Sequence, residues 1–259
     1  AHNCTVTRKN IDGVSEIVRW FLADAERTHI WRILSFQPEA DTGRTLFSEE
    51  PITPADVWKE IQQGIGRPVR RDATIFGHPD CNSWAPVLVA RPSGQIFPPL
   101  PEDPKWDPMM GRLLERIGGL HLVSDDAGTP FYRILGVLVQ NPGLWLQLTR
   151  YLFHEWRGGR LPKAVVFAAL RGQAHTVGIG MHNFMDAEMV ARADTDPVIK
   201  SRLDSCVFKG AVKIDGEWEA VPMCSMNHAT WSRIYDERAA DPTLQTQSQP
   251  WVHRPASME

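Results

Sequence analysis

Apolar residues recur twice with a helical period in the amino-terminal third of the chain. Val14, Ile17, Val18, Phe21 and Leu22 fall at i, i+3, i+4, i+7 and i+8, one face of a helix, with Asp12 as the expected N-cap. Thr53-Pro54, with Asp56 in the first turn, opens a second helix. It is expected to run to Gln63 and to bury Val57, Trp58 and Ile61. Residues 3–8 and 30–36 read as strands, and a polar loop from Gln37 to Arg44 follows the second. Strand–helix–strand–loop–helix implies parallel strands joined by right-handed crossovers. Ligands of such folds sit at the carboxyl ends of the strands. Thr7, Arg8, Asn10, Gln37 and Glu39 therefore make a candidate ligand face, and they read equally well as ordinary loop polar residues.

The pattern changes after Gly66. Residues 76–83 read as a loop. Strands 85–90 and 95–98 read as a hairpin around Arg91-Pro92-Ser93-Gly94. A Pro-rich stretch over 98–108 leads to helices at 109–117 and 142–157, with a hydrophobic segment at 131–139 between them. Residues 164–170 and 175–181 are expected strands, and 186–192 and 197–204 expected helices. A second hairpin, 210–214 with 217–221, turns at Asp215-Gly216, and a helix near 229–239 closes the fold. The Gln-, Ser- and Pro-rich tail, 240–259, is expected to be disordered. Three segments are thus expected, 1–75, 76–239 and 240–259, with α/β character throughout the first two.

Composition narrows the function classes. At 259 residues, with 42% hydrophobic and 23% charged residues, this is a globular chain of one or two domains. A net charge of −3 excludes a basic nucleic-acid coat and gives no overall pull toward an anionic membrane. No apolar run is long enough to span a bilayer, and the first residues lack a signal-peptide pattern. A cytoplasmic chain with reduced thiols is expected, and four cysteines are too few for a disulfide scaffold. The chain opens within a structural element, as expected of a fragment of a longer protein. A Gly-rich phosphate loop, a G-x-S-x-G elbow and an H-E-x-x-H pair are all missing.

Three cysteines lie beside the hairpins: Cys81 before the first, Cys206 before the second and Cys224 after it. Thiolate ligands of iron–sulfur clusters and zinc favour such turns, where sulfurs converge and backbone N–H groups stabilise their charge. No C-x-x-C pair sharpens the signal. His78 and His182 are candidates for a fourth ligand or for substrate-side acid–base work. Against this stands the plain alternative of small buried thiols and hydrogen-bonded structural histidines.

Several short stretches resemble one family. Thr5-Val6-Thr7-Arg8-Lys9-Asn10, with Phe36-Gln37-Pro38-Glu39 and Gly43-Arg44, resembles the later strands of a radical S-adenosylmethionine barrel. His78-Pro79-Asp80-Cys81 before a hairpin resembles the auxiliary-cluster region of the tetraether lipid synthase-like branch. His182-Asn183-Phe184-Met185-Asp186, Cys206 and Pro222-Met223-Cys224-Ser225-Met226-Asn227 resemble that branch's carboxyl-terminal region. The resemblance spans most of residues 3–239. It implies the carboxyl-terminal part of a partial (β/α) barrel followed by an α+β auxiliary-cluster domain. It also implies two cofactors, a [4Fe–4S] cluster and S-adenosylmethionine. In the complete enzyme a reduced [4Fe–4S] cluster would donate one electron to S-adenosylmethionine, giving a 5′-deoxyadenosyl radical that would abstract hydrogen from a lipid, a peptide or a small metabolite. Thr7, Asn10, Gln37 and Glu39 would contact S-adenosylmethionine, and Cys81, Cys206 and Cys224 would hold the auxiliary cluster.

The departures are as informative. The family's C-x3-C-x2-C loop, which holds the cluster that cleaves S-adenosylmethionine, is missing. Little turnover is therefore expected of this chain alone, and a complementary amino-terminal chain is an expected partner. Phe76 stands where related sequences carry a further Cys, so either His78 or His182 is the fourth ligand, one iron is open, or the site has been lost. The competing readings are a Cys3His structural-zinc scaffold and a metal-free α/β domain. Anaerobic reconstitution with iron and sulfide separates the three. The resemblance expects a brown protein whose visible absorption is lost in Cys81→Ala, Cys206→Ala or Cys224→Ala and kept in Cys4→Ala. One tightly held zinc marks the scaffold, and neither metal marks the metal-free domain.

Overall fold

The computed structural model describes residues 1–27, 32–40, 52–72, 77–118, 128–214 and 217–226. The chain forms two compact units, residues 1–39 with 48–184 and residues 40–47 with 185–259.

A five-stranded sheet organises the first unit. Strands β1 (His2–Val6), β2 (Arg32–Pro38), β3 (Asn82–Ala90), β4 (Ile96–Phe97) and β5 (Ala174–His182) lie in the order β1-β2-β5-β3-β4. β1, β2 and β5 run parallel, whereas β3 pairs antiparallel with both β5 and β4. The sheet is open, with β1 and β4 at its edges. It crosses the boundary expected near residue 75, because β3 and β5 complete the sheet that β1 and β2 begin.

Helices α1 (Val14–Arg27) and α2 (Pro54–Ile65) cover one face. α2 begins as the sequence predicts: Thr53 and Asp56 form a reciprocal capping box, and Pro54 occupies the first turn. Val57, Trp58 and Ile61 are buried against the sheet, and the Trp58 indole N–H donates to the Val69 carbonyl at 2.8 Å. α1 begins differently. Residues Ile11–Gly13 form a 3-10 turn ahead of it, so Asp12 lies inside that turn and is not its N-cap. The two helices touch closely where Gly64 faces Val18. A β-carbon at position 64 would lie 2.4 Å from that of Val18, so only glycine fits. The core between helices and sheet takes alternate residues of each strand, including Val6, Leu34, Phe36, Val87, Val89, Val177, Ile179 and Met181.

The hairpin β3–β4 matches the expectation, with Gly94 taking the left-handed conformation in its turn (φ 65°). Beyond it, α3 (Asp107–Ile117), α4 (Gly128–Gln140) and α5 (Pro142–Arg157) form a helical layer. Its core is Met109, Met110, Leu138, Leu144 and Tyr151. The Tyr151 hydroxyl donates to the Pro99 carbonyl at 3.0 Å, and burial pushes its phenol pKa up. The hydrophobic segment 131–139 is thus helical. Residues 164–170 are also helical, α6 (Lys163–Leu170), and not the expected strand. An unbroken apolar run of this length suits either state, and here Val165 and Ala168 turn inward one helical step apart against Ala90, Phe97 and Leu161.

In the second unit, α7 (Ala187–Ala191) and α8 (Pro197–Asp204) precede the hairpin β6 (Lys209–Ile214) and β7 (Glu217–Pro222). Asp196 caps α8 through the Val198 and Ile199 N–H groups. Ile199, Val212 and Val221 are buried. The expected turn at Asp215-Gly216, the helix 229–239, the tail, Gly43-Arg44 and Phe76 lie outside the described residues. No helix among the described residues is long and apolar enough to cross a membrane.

One charged pair ties α5 to the loop that leaves it. Glu155 is only 3% exposed, and Arg160 grips both of its carboxylate oxygens, with Nε 2.8 Å from Oε2. Arg160 also reaches Glu102 at 3.1 Å, and its carbonyl accepts from Arg67 at 2.8 Å. Arg160→Met strands a buried carboxylate and should cost about 3–5 kcal/mol in urea unfolding. Adding Glu155→Leu should recover most of that loss, because the uncompensated charge leaves with it.

A candidate binding face at the carboxyl ends of the parallel strands

The sheet face opposite α1 and α2 is built from the other residue of each alternating pair. At one end it is apolar, where Leu88, Ala90 and Ala174 pack with α6. Toward the carboxyl ends of β1, β2 and β5 it turns polar. Asn3 pairs with Ser35, Ser35 with Gly180, and Gly180 with Trp84. The next row out holds Thr5 beside Gln37 and His182 beside Asn82, and continuing the β2–β5 register brings Gln37 level with His182. The Ser35 hydroxyl donates to Asn3 Oδ1 at 2.8 Å.

Trp84 divides the two halves. Its indole lies over β5, where a β-carbon at Gly178 would meet the ring at 2.2 Å and one at Gly180 at 2.5 Å. Two glycines on the same face of one strand thus make the seat for the ring. Gly-x-Gly within an apolar strand is the sequence signal that finds this feature, and sequence reasoning missed it. Asn82, Ser35 and Asn3 were missed too, since their role depends on β3 pairing with β5 across about 90 residues.

His182 is half-buried on this face. Its Nδ1 is 2.7 Å from Asn82 Oδ1, and a carboxamide oxygen only accepts. Nδ1 therefore carries the proton of the neutral ring, and Nε2 is the basic nitrogen. Desolvation lowers the imidazole pKa below its ordinary 6.5, so the ring is neutral near pH 7.

The loop residues expected to bind ligand divide in two. Asn10 and Thr7 are engaged in their own turn. Asn10 Oδ1 accepts from the Thr7 N–H at 2.7 Å, Asn10 Nδ2 donates to the Thr5 carbonyl at 3.0 Å, and Thr7 Oγ1 accepts from the Lys9 N–H. Gln37 and Glu39 are half-exposed at the end of β2, where the Glu39 N–H donates to the Val6 carbonyl at 2.9 Å.

On the far side of His182, the turn before β3 is stitched to the end of β5. Asn183 donates through its N–H to the Cys81 carbonyl at 2.8 Å and through its side chain to the Asp80 carbonyl at 2.9 Å. His78 Nδ1 accepts from the Asp80 N–H at 3.2 Å. Cys81, His78 and His182 thus belong to one corner of the first unit. Cys206 and Cys224 belong to the second. The Cys206 thiol donates to the Phe208 carbonyl at 3.1 Å, and Cys224 Sγ accepts from the Met185 N–H at 3.5 Å. Cys4 packs against the sheet–helix core, and burial pushes its thiol pKa up. A four-iron cluster or a tetrahedral zinc takes four ligands. Among the described residues, no three His, Cys, Asp or Glu side chains gather to hold a metal ion. Among the described residues, neither unit by itself gathers the ligands of such a centre.

The chain matches no protein-family model and no curated protein.

The buried imidazole carries a pH signature. Its folded pKa lies below the unfolded value, so the unfolded chain binds the proton first as pH falls. The stability tied to His182 is complete above its ordinary value and declines as pH drops toward the folded one, by at most about 1.4 kcal/mol per pH unit. His182→Gln should flatten urea stability between about pH 7.5 and about pH 5.5 relative to the parent. An unchanged slope would show that His182 titrates as it does in the unfolded chain.

Proposed function

We propose that this chain is the carboxyl-terminal part of a radical S-adenosylmethionine enzyme, and that the polar sheet face binds the sulfonium nucleoside. The observation that carries this reading is the polar row Thr5, Gln37, His182 and Asn82 at the carboxyl ends of three parallel strands, on the face opposite α1 and α2. That is the lining expected of the inner wall of a partial (β/α) barrel, where ligands enter from the carboxyl ends of the strands.

The donor set suits a polar, cationic nucleoside. Gln37 offers an amide that both donates and accepts, as an adenine edge or an amino-acid group requires. Glu39 sets a carboxylate at the rim, which favours a sulfonium or an ammonium. His182, hydrogen-bonded through Nδ1 to Asn82, adds a neutral polar ring to this wall. Trp84 supplies an aromatic wall, and its glycine seat holds it flat on the sheet. In this family the bound nucleoside supplies hydrogen-abstracting radical chemistry. The assignment rests on the sheet face alone and gives the cysteines no part in holding the nucleoside.

Titration calorimetry with S-adenosylmethionine tests it. The parent chain should bind, and Gln37→Ala should weaken binding by about tenfold, the loss of one or two hydrogen bonds. Ser93→Ala, in the β3–β4 turn, should leave affinity unchanged. Failure of the parent to bind, or equal affinity in Gln37→Ala, overturns the proposal.

A further inference from the structure

Charge and apolar surface are unevenly spread along this chain. Residues 128–173 hold six basic residues and one acidic residue, in a chain whose net charge is −3. The one acid, Glu155, is buried and gripped by Arg160. Of the fourteen exposed large hydrophobic side chains among the described residues, eight lie in the same stretch. Positive charge and exposed apolar area therefore coincide in one segment.

α5 shows how they are arranged. Leu144, Tyr151 and Glu155 face inward. At 100° per residue, Trp145, Trp156, Phe153 and Leu146 share an arc of about 100° on the outward side. These four are between 45% and 56% exposed, and the Phe153 and Trp156 rings touch, with centroids 5.8 Å apart. Arg157 and Arg150 follow on the next part of the helix surface, both exposed. On α6, Phe167 and Leu170 are exposed as well, with Lys163 and Arg171 at that helix's two ends.

We propose that the outward face of α5 docks on an anionic phospholipid surface. A helix with tryptophan and phenylalanine in its apolar arc and arginine at the margin suits the plane of a lipid interface. The rings enter the headgroup boundary, and the guanidinium groups snorkel to the phosphates. No exposed acid in the segment opposes that attraction. The 16-residue helix is about 24 Å long and lies along the surface. It does not span the bilayer, and the proposal is independent of the nucleoside assignment.

Co-sedimentation of the full chain with vesicles tests it. The chain should pellet with phosphatidylcholine vesicles containing phosphatidylglycerol and not with phosphatidylcholine alone. Raised salt should release it, and tryptophan emission should shift to the blue on binding. Arg150→Gln with Arg157→Gln should weaken partition about thirtyfold, at about 1 kcal/mol per arginine. Leu146→Ser with Phe153→Ser should abolish it. All four positions are exposed, so both double variants should keep the parent's far-UV circular dichroism. Absent partition, equal partition into both vesicle types, or partition unmoved by either double variant overturns the proposal. So does self-association that Leu146→Ser with Phe153→Ser abolishes while vesicle binding is absent, which would mark the face as a protein-docking surface.

Discussion

The alternation along β5 is the constraint on which the first unit depends. Val177, Ile179 and Met181 point to the helices and join the core, while Gly178, Gly180 and His182 face the other way. A side chain at either glycine would lift Trp84 off the strand. With the ring seated, β3 pairs along its full nine residues with β5, which joins the antiparallel half of the sheet to the parallel half. The second face is thereby divided into an apolar end packed on α6 and a polar end at the carboxyl ends of the parallel strands. Fold and candidate site thus share one strand, and a slip of one residue in its register would exchange core and site.

What the sequence disclosed depended on how local the cause was. α2 was legible to within two residues of its end because its start is chemical: Thr53, Pro54 and Asp56 satisfy the helix's own first N–H groups. The hairpin β3–β4 was legible for the same reason. α6 was not, because Lys163–Leu170 is apolar on nearly every side and carries neither period clearly. The N-cap expected at Asp12 failed because the chain enters α1 through a 3-10 turn, which no single residue type announces.

The candidate site divides along the same line. Gln37 and Glu39 were found because the end of a strand is a local feature. Thr7 and Asn10 were found by the same logic, yet their side chains close the turn in which they sit. Short polar residues stabilise a loop by bonding its backbone, and that role leaves the same trace in sequence as ligand binding. Asn82 and Trp84 stayed hidden, since they join the face only through an antiparallel strand placed beside β5 by tertiary folding.

The double stitch made by Asn183 gives the far corner a mechanical character. Its backbone and side chain fasten the turn carrying His78 and Cys81 to the exit of the strand carrying His182. Beside it a further hydrogen bond joins His182 to Asn82, a hundred residues away in the chain. Any shift of the tip of that strand must therefore either break those two bonds or carry the thiol-bearing turn with it.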